Sequence, residues 1–322
     1  DLLEKAVGFE GTKELGAKEM YKSIKRFSAL PDHLQVWPGH GAGSACGKAL
    51  GAVPSSTVGY EKIRNWAFQY KHDENGFVKY LLEDQPEPPK YFAMMKKLNK
   101  VDRPLLTEVP KLKQLSKEAF KEAYDKGLKI IDTRLKTDFA AGFIPGTLNI
   151  QGNNAFATWC GWFLSYDEPF ILIADESKHD DLVRKLMRIG LDNITGFVPN
   201  VKVWEELGNK LENVKQVNIE EVKQLVEKQT AKVVDLRGVA EYKASHIQGA
   251  ENVFIGTIEK NLDKISKDEP VVIHCQAGDR SSIGYSILVK HGFKNISNYG
   301  GGISEWVNKG NAVVTEKELA EA

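Results

Sequence analysis

From about residue 111 onward, short apolar runs alternate with amphipathic stretches. The runs "FILIA" (170–174) and "VVIH" (271–274) are rich in large apolar side chains and are bounded by polar turns. This pattern predicts short strands covered on both faces. "SKEAFKEAYDKG" opens at a candidate N-cap, Ser116, and "NIEEVKQLVEK" opens at Asn218 with Glu221 three residues on, so each predicts an amphipathic helix. Strands alternating with helices imply an α/β fold with a parallel sheet flanked by helices.

The alternation occurs twice in one register. "IIDTR" (130–134) and "VVDLR" (233–237) are each followed by an I-x-G, in "GFIPGTLN" and "SHIQGAEN". Asp132 and Asp235 lie 103 positions apart, as do Gly146 and Gly249, while the pairs Gly190/Gly292, Asn193/Asn295 and Trp204/Trp306 lie 102 apart. A period this long exceeds any solenoid unit, so the chain carries two whole domains in tandem. The expected boundaries are 109–212 and 213–322, behind a front segment, 1–108. That segment is rich in Gly and Ser, then helical to Asp84; "DQPEPPK" (84–90) breaks the helix and "YFAMMKKLNKVDRP" predicts another.

Charge narrows the partners. Forty-four basic residues balance forty-four acidic ones, so no net field favours nucleic acid or an anionic membrane. No apolar stretch approaches the roughly 20 residues that span a bilayer. The three cysteines, Cys46, Cys160 and Cys275, are odd in number and far apart, which fits a reducing, cytoplasmic setting.

One cysteine stands at an address for chemistry. In "VVIHCQAGDRSS" (271–282), Cys275 sits at the carboxyl end of a predicted strand, where open α/β sheets place their ligands. The next helix is expected from about Ser282 to His291, so the turn Gln276–Ser281 would aim backbone N–H groups at the sulfur. Gly278 supplies a left-handed turn and Arg280 a fixed positive charge, and together they favour thiolate over thiol. Cys275 is therefore the candidate nucleophile. Asp235 and Arg237 are expected to form a structural charge pair, since the first copy keeps both residue types.

These residues carry a resemblance. C-x-x-G-x-R-S at a strand-to-helix turn, preceded by D-x-R, E-Y and H-I-x-G and followed by "YGGGISEW", resembles a rhodanese (sulfurtransferase) domain. The resemblance implies that Cys275 carries a sulfane sulfur as a persulfide. The amides of Gln276, Ala277, Gly278, Asp279, Arg280 and Ser281 would cradle the terminal sulfur, and Arg280 would attract the anionic donor or acceptor. Thiosulfate, sulfite and low-molecular-weight persulfides are the implied partners, and self-association into a homo-oligomer is compatible with this. Two other readings stand beside it: a non-turnover sulfur-relay or binding module, and a cysteine-dependent phosphatase or arsenate reductase. The spacing C-x4-R is one residue shorter than the related phosphatases use around a tetrahedral oxyanion.

The first copy reads as silent. "FILIADESKHDD" places Asp175 at the position of Cys275, on a contracted spacing, and Asp175, Glu176, Asp180 and Asp181 would repel anions. Cys160, between Trp159 and Trp162 in "ATWCGWFLS", precedes the strand and is expected to be a buried, inert thiol.

The front segment, through "VWPGHGAGSACGK" and "PSSTVGYEKIRNWAF", resembles the carboxyl-terminal part of the metallo-β-lactamase (αββα) fold of persulfide dioxygenases fused to rhodaneses. That resemblance implies one Fe(II) held by an H-x-H-x-D-H motif, which this sequence lacks, so its ligands are expected ahead of Asp1. It also implies for His40 a second-metal or outer-shell place, and Cys46 is a candidate contact for the persulfide. The whole is identified as a persulfide dioxygenase–rhodanese fusion in sulfide metabolism. Dioxygenase activity is expected only of the complete protein.

Overall fold

The computed structural model describes residues 11–39, 54–83, 85, 87–102 and 105–315. His40 and Cys46 lie outside the described residues. Two compact units result, residues 1–100 and 101–322.

In the first unit, helix α1 (Thr12–Ser28) precedes a short antiparallel pair, β1 (Gln35–Val36) with β2 (Ser56–Thr57). Thr57 caps α2 (Val58–Arg64) by accepting the Tyr60 N–H, and Asp73 caps α3 (Glu74–Leu82) by accepting the Gly76 N–H. The core here is aromatic: Tyr21, Phe77 and Ala67 are buried, with Trp66 and Tyr70 packed against them. Helix α3 stops at Leu82 rather than running to Asp84, which is outside the described residues. After the proline-rich break comes α4 (Tyr91–Leu98).

The second unit holds the two copies. The first runs through α5 (Lys117–Asp125), β3 (Lys129–Asp132), α6 (Lys136–Ala141), β4 (Leu148–Asn149), α7 (Phe156–Phe163), β5 (Phe170–Ile173), α8 (His179–Met187), β6 (Ile194–Val198) and α9 (Lys202–Glu206). The second repeats this as α10 (Ile219–Lys228), β7 (Lys232–Asp235), α11 (Val239–Ala244), β8 (Glu251–Asn252), β9 (Val271–His274), α12 (Asp279–Lys290), β10 (Ile296–Tyr299) and α13 (Gly302–Asn308); two 3-10 turns in place of a helix join β8 to β9. Each sheet is parallel, in the order β4-β3-β5-β6 and β8-β7-β9-β10. Every residue of β5 and β9 is buried, as strands covered on both faces require. Both predicted caps form: Ser116 accepts the Ala119 N–H, and Asn218 and Glu221 make a reciprocal capping box.

The polar skeleton is duplicated as faithfully as the apolar one. Asp132 and Arg134 form a charge pair at 2.6 Å, as do Asp235 and Arg237. Each arginine also donates to a carbonyl eight residues on, Gly142 or Ser245. Asn149 and Asn252 each donate to two carbonyls, those of Asp132 and Arg134 and those of Asp235 and Arg237. Asp132, Asn149, Asp235 and Arg237 are buried, so each of these would be costly without its partner. Among the described residues, no helix is long and apolar enough to cross a membrane.

Candidate functional site

The strand β9 ends at His274, and Cys275 begins the turn at the carboxyl edge of the sheet, 1 % exposed. Gly278 then adopts φ +95°, a backbone region open to glycine, and its N–H donates to Cys275 Sγ at 3.1 Å. Helix α12 starts at Asp279, three residues earlier than the sequence suggested. The polar string Asp279-Arg280-Ser281 is therefore the first helical turn, not part of a loop. Those three N–H groups lack intrahelical acceptors and bring the positive end of a 12-residue helix close to the sulfur.

The "YGGGISEW" stretch fastens this turn from behind. Ile303 N–H donates to the Cys275 carbonyl and Ser304 N–H to the Gln276 carbonyl, each at 3.0 Å. Gln276 Nε2 adds a bond to Ser304 Oγ at 2.8 Å. A methyl group on Gly302 would strike both carbonyl oxygens, so the glycine permits the approach.

Arg280 does not stand free. Its guanidinium grips both oxygens of Glu241, at 2.5 and 2.8 Å. Burial would raise the Glu241 carboxyl, but the hydrogen bonds and charge of Arg280 outweigh it and hold the carboxyl below the usual range. Glu241 is the acid of the E-Y motif, to which the sequence alone assigns no role, and it balances the arginine. His274 is fully buried, and burial pushes its imidazole down despite Asp235 nearby, so it is neutral. Its Nδ1 lies 3.2 Å from the Cys275 carbonyl, which can only accept, so Nδ1 carries the proton.

Two further residues come from the other copy and had no sequence signal. Lys136 Nζ donates to the Ala277 carbonyl and pairs with Asp279 Oδ1 at 2.7 Å, and Asn153 Nδ2 reaches Asp279 Oδ2 at 3.2 Å. Ser281 is buried and donates to the Gly278 carbonyl at 3.2 Å.

Strand register corrects the alignment of the silent copy. Asp132 pairs with Ile173 and Asp235 with His274, so Ala174, not Asp175, occupies the position of Cys275. Asp175 instead caps a 3-10 turn (Glu176–Lys178), accepting the Ser177 N–H at 2.9 Å. Of the four acids, Asp180 pairs with Arg184 and Asp181 with Lys185, each at 2.7 Å, so the negative charge there is partly offset. The site lacks a nucleophile because alanine has no sulfur, and the 3-10 turn replaces the cradle. Cys160 is fully buried in α7, and burial pushes its thiol well up. His246 is buried, stacked on Tyr242 and bonded to the Tyr242 carbonyl.

Comparisons with known proteins agree with this geometry. The family described as Rhodanese-like domain matches residues 116–205 and 218–309. A putative sulfur carrier protein of Bacillus subtilis is 27 % identical over 109 residues, which cover 34 % of this chain and 59 % of that protein. A thiosulfate sulfurtransferase of Pseudoalteromonas translucida is 29 % identical over 92 residues, covering 29 % of this chain and 88 % of the relative. A solved metallo-β-lactamase of Staphylococcus aureus is 43 % identical with a TM-score of 0.52, covering 61 % of this chain and 54 % of its own. That share exceeds what the 100 residues of the first unit supply, so the likeness extends into the second, as a fusion requires. With both copies matched, over more than half of its length, the chain belongs to the rhodanese-like domain family.

Proposed function

We propose that the chain is a sulfurtransferase whose Cys275 carries sulfane sulfur. The thiolate attacks the outer sulfur of thiosulfate, a new S–S bond forms, and sulfite leaves with the electron pair of the broken bond. A second nucleophile, sulfite or a thiolate, then takes the terminal sulfur and returns Cys275 as thiolate. A low-molecular-weight persulfide serves as donor in the same way, leaving as its thiolate. The observation that carries this reading is the Gly278 N–H on Cys275 Sγ at a strand end, directly before a helix. A turn of this size holds one anionic sulfur. Arg280, neutralised by Glu241, and the short C-x4-R spacing count against a phosphatase.

The finer reading is a persulfide-oxidising, thiosulfate-forming protein of sulfide detoxification in a reducing cytoplasm, with the first unit as its metallo-β-lactamase part. The likeness to the Staphylococcus aureus chain supports it. Among the described residues, no group of three His, Cys, Asp or Glu side chains could hold a metal ion. These residues do not fit the expected Fe(II). The relay reading draws on the likeness to the sulfur carrier protein.

Mass spectrometry after thiosulfate treatment tests carriage. A gain of one sulfur on the Cys275 peptide, absent in Cys275→Ser, supports the reading, and its absence from the wild type defeats it. Turnover to thiocyanate with cyanide, or to thiosulfate with sulfite and a persulfide, separates enzyme from relay.

A further inference from the structure

The peptide joining Ala277 to Gly278 is held at both ends. Its hydrogen end, the Gly278 N–H, points at Cys275 Sγ, 3.1 Å away. Its oxygen end, the Ala277 carbonyl, accepts a hydrogen bond from Lys136 Nζ, 141 residues earlier in the chain and in the other repeat. A trans peptide is planar with its C=O and N–H opposed, so whatever fixes the oxygen also fixes the direction of the hydrogen. We infer that Lys136, supplied by the repeat without a nucleophile, is a positioning residue for Cys275, acting through the Ala277–Gly278 peptide. The inference rests on the reading of Cys275 as the nucleophile.

Three observations support it. Gly278 lies at φ +95°, and a glycine is free to leave that conformation, so the plane needs an anchor. The lysine is itself anchored: Asp279, the first residue of α12, takes its charge at 2.7 Å, and Asn153, also of the first repeat, holds the other oxygen of that carboxylate. The active repeat offers no such cation at the matching position: the residue 103 positions on from Lys136, the first of α11, is Val239, which is apolar and exposed. A cation on a carbonyl oxygen also polarises the amide, making the N–H a better partner for an anionic sulfur. Lys136 does this without touching the reacting atom, and Arg280, committed to Glu241, is not duplicated by it.

The test uses the full chain with Lys136→Met and Lys136→Arg. Iodoacetamide labelling of the Cys275 peptide is followed by mass spectrometry across pH. Lys136→Met is expected to slow labelling near neutral pH by about tenfold, the size of one oriented hydrogen bond to an anionic sulfur, and to move the profile toward alkaline pH. Lys136→Arg, which keeps the charge and the donor, should retain most of the rate. A Lys136→Met protein that melts like wild type and labels with the wild-type profile overturns the inference, and so does an arginine variant as impaired as the methionine one. Sulfur gain from thiosulfate is measured separately: its failure in wild type defeats the sulfurtransferase reading, while the labelling comparison still decides Lys136.

Discussion

Gly278→Ala and Gly292→Ala make the same chemical change in the same backbone region, at φ +95° and φ +81°, with different surroundings. A methyl at Gly292 meets nothing within 4 Å, so that variant bears only the left-handed strain of a non-glycine residue, about 1–2 kcal/mol. At roughly 2–4 °C per kcal/mol for a unit the size of residues 101–322, its melting temperature should fall by a few degrees. A methyl at Gly278 adds a collision with the Gly300 carbonyl oxygen and a contact of 3.1 Å with Lys136 Nζ. The turn must shift, taking the Gly278 N–H off the sulfur. A hydrogen bond to a charged acceptor contributes about 1.5–3 kcal/mol, so loss of this one should cut the rate of Cys275 sulfur loading by about tenfold to a hundredfold. Paired melting curves and thiosulfate loading rates measure both effects. If Gly278→Ala loads as fast as Gly292→Ala, the amide on the sulfur is incidental and the cradle argument is wrong.

Cys160 gives a second test. Its buried thiol, pushed well up by burial, should escape iodoacetamide at pH 8 while Cys275 is labelled, and should react only in denaturant; labelling of both in the native protein would contradict the fold around α7. Glu241→Gln releases Arg280 from its carboxylate, so the KM for thiosulfate should fall, and kinetics showing an unchanged or higher KM would deny the arginine any part in anion capture. The variant also predicts a pH effect. Glu241 titrates below its ordinary 4.5 in the folded chain, so its contribution is complete above that value and is lost as pH falls through the folded one. Wild type should therefore lose its small margin over the variant, about 1 kcal/mol or less for a pair whose carboxylate is open to solvent, only below about pH 4.5 in acid melts.

What the sequence disclosed and what it hid divide along one physical line. Period and composition act within a repeat, so the tandem copies, the strands at 170–173 and 271–274, the caps at Ser116 and Asn218 and the Asp235–Arg237 pair were all legible. The start of α12 was not, because Asp279-Arg280-Ser281 reads as a polar turn. Ser281 and Ser282 are in fact buried, and the Ser282 hydroxyl is satisfied by Asn149 Oδ1 at 2.6 Å, from the other copy. Ala174 was misjudged for a related reason: the turn after β5 shares no residues with its counterpart, and only pairing with β3 fixes the frame. Lys136 carried no signal, since its meaning depends on a contact 141 positions away.

The same contacts explain why a repeat without a nucleophile belongs to the machinery. Helix α12 is buried without interruption from Ser281 to Leu288, whereas its counterpart α8 buries only Leu182, Val183 and Leu186. An amphipathic helix needs one covering surface, and a helix buried all round needs two. Its own repeat covers one side of α12, through β9, β10 and the turn at Ile255–Lys260. The first repeat covers another, through α6 and β4, with Asn149 bonded to Ser282 and Ser286 and with Phe143 edge-on to Tyr285. The helix whose first turn faces Cys275 is thus shared core of residues 101–322. A change in the first repeat that loosens β4 or α6 alters where that turn stands, so the silent copy sets the geometry of the sulfur site by packing as well as through Lys136.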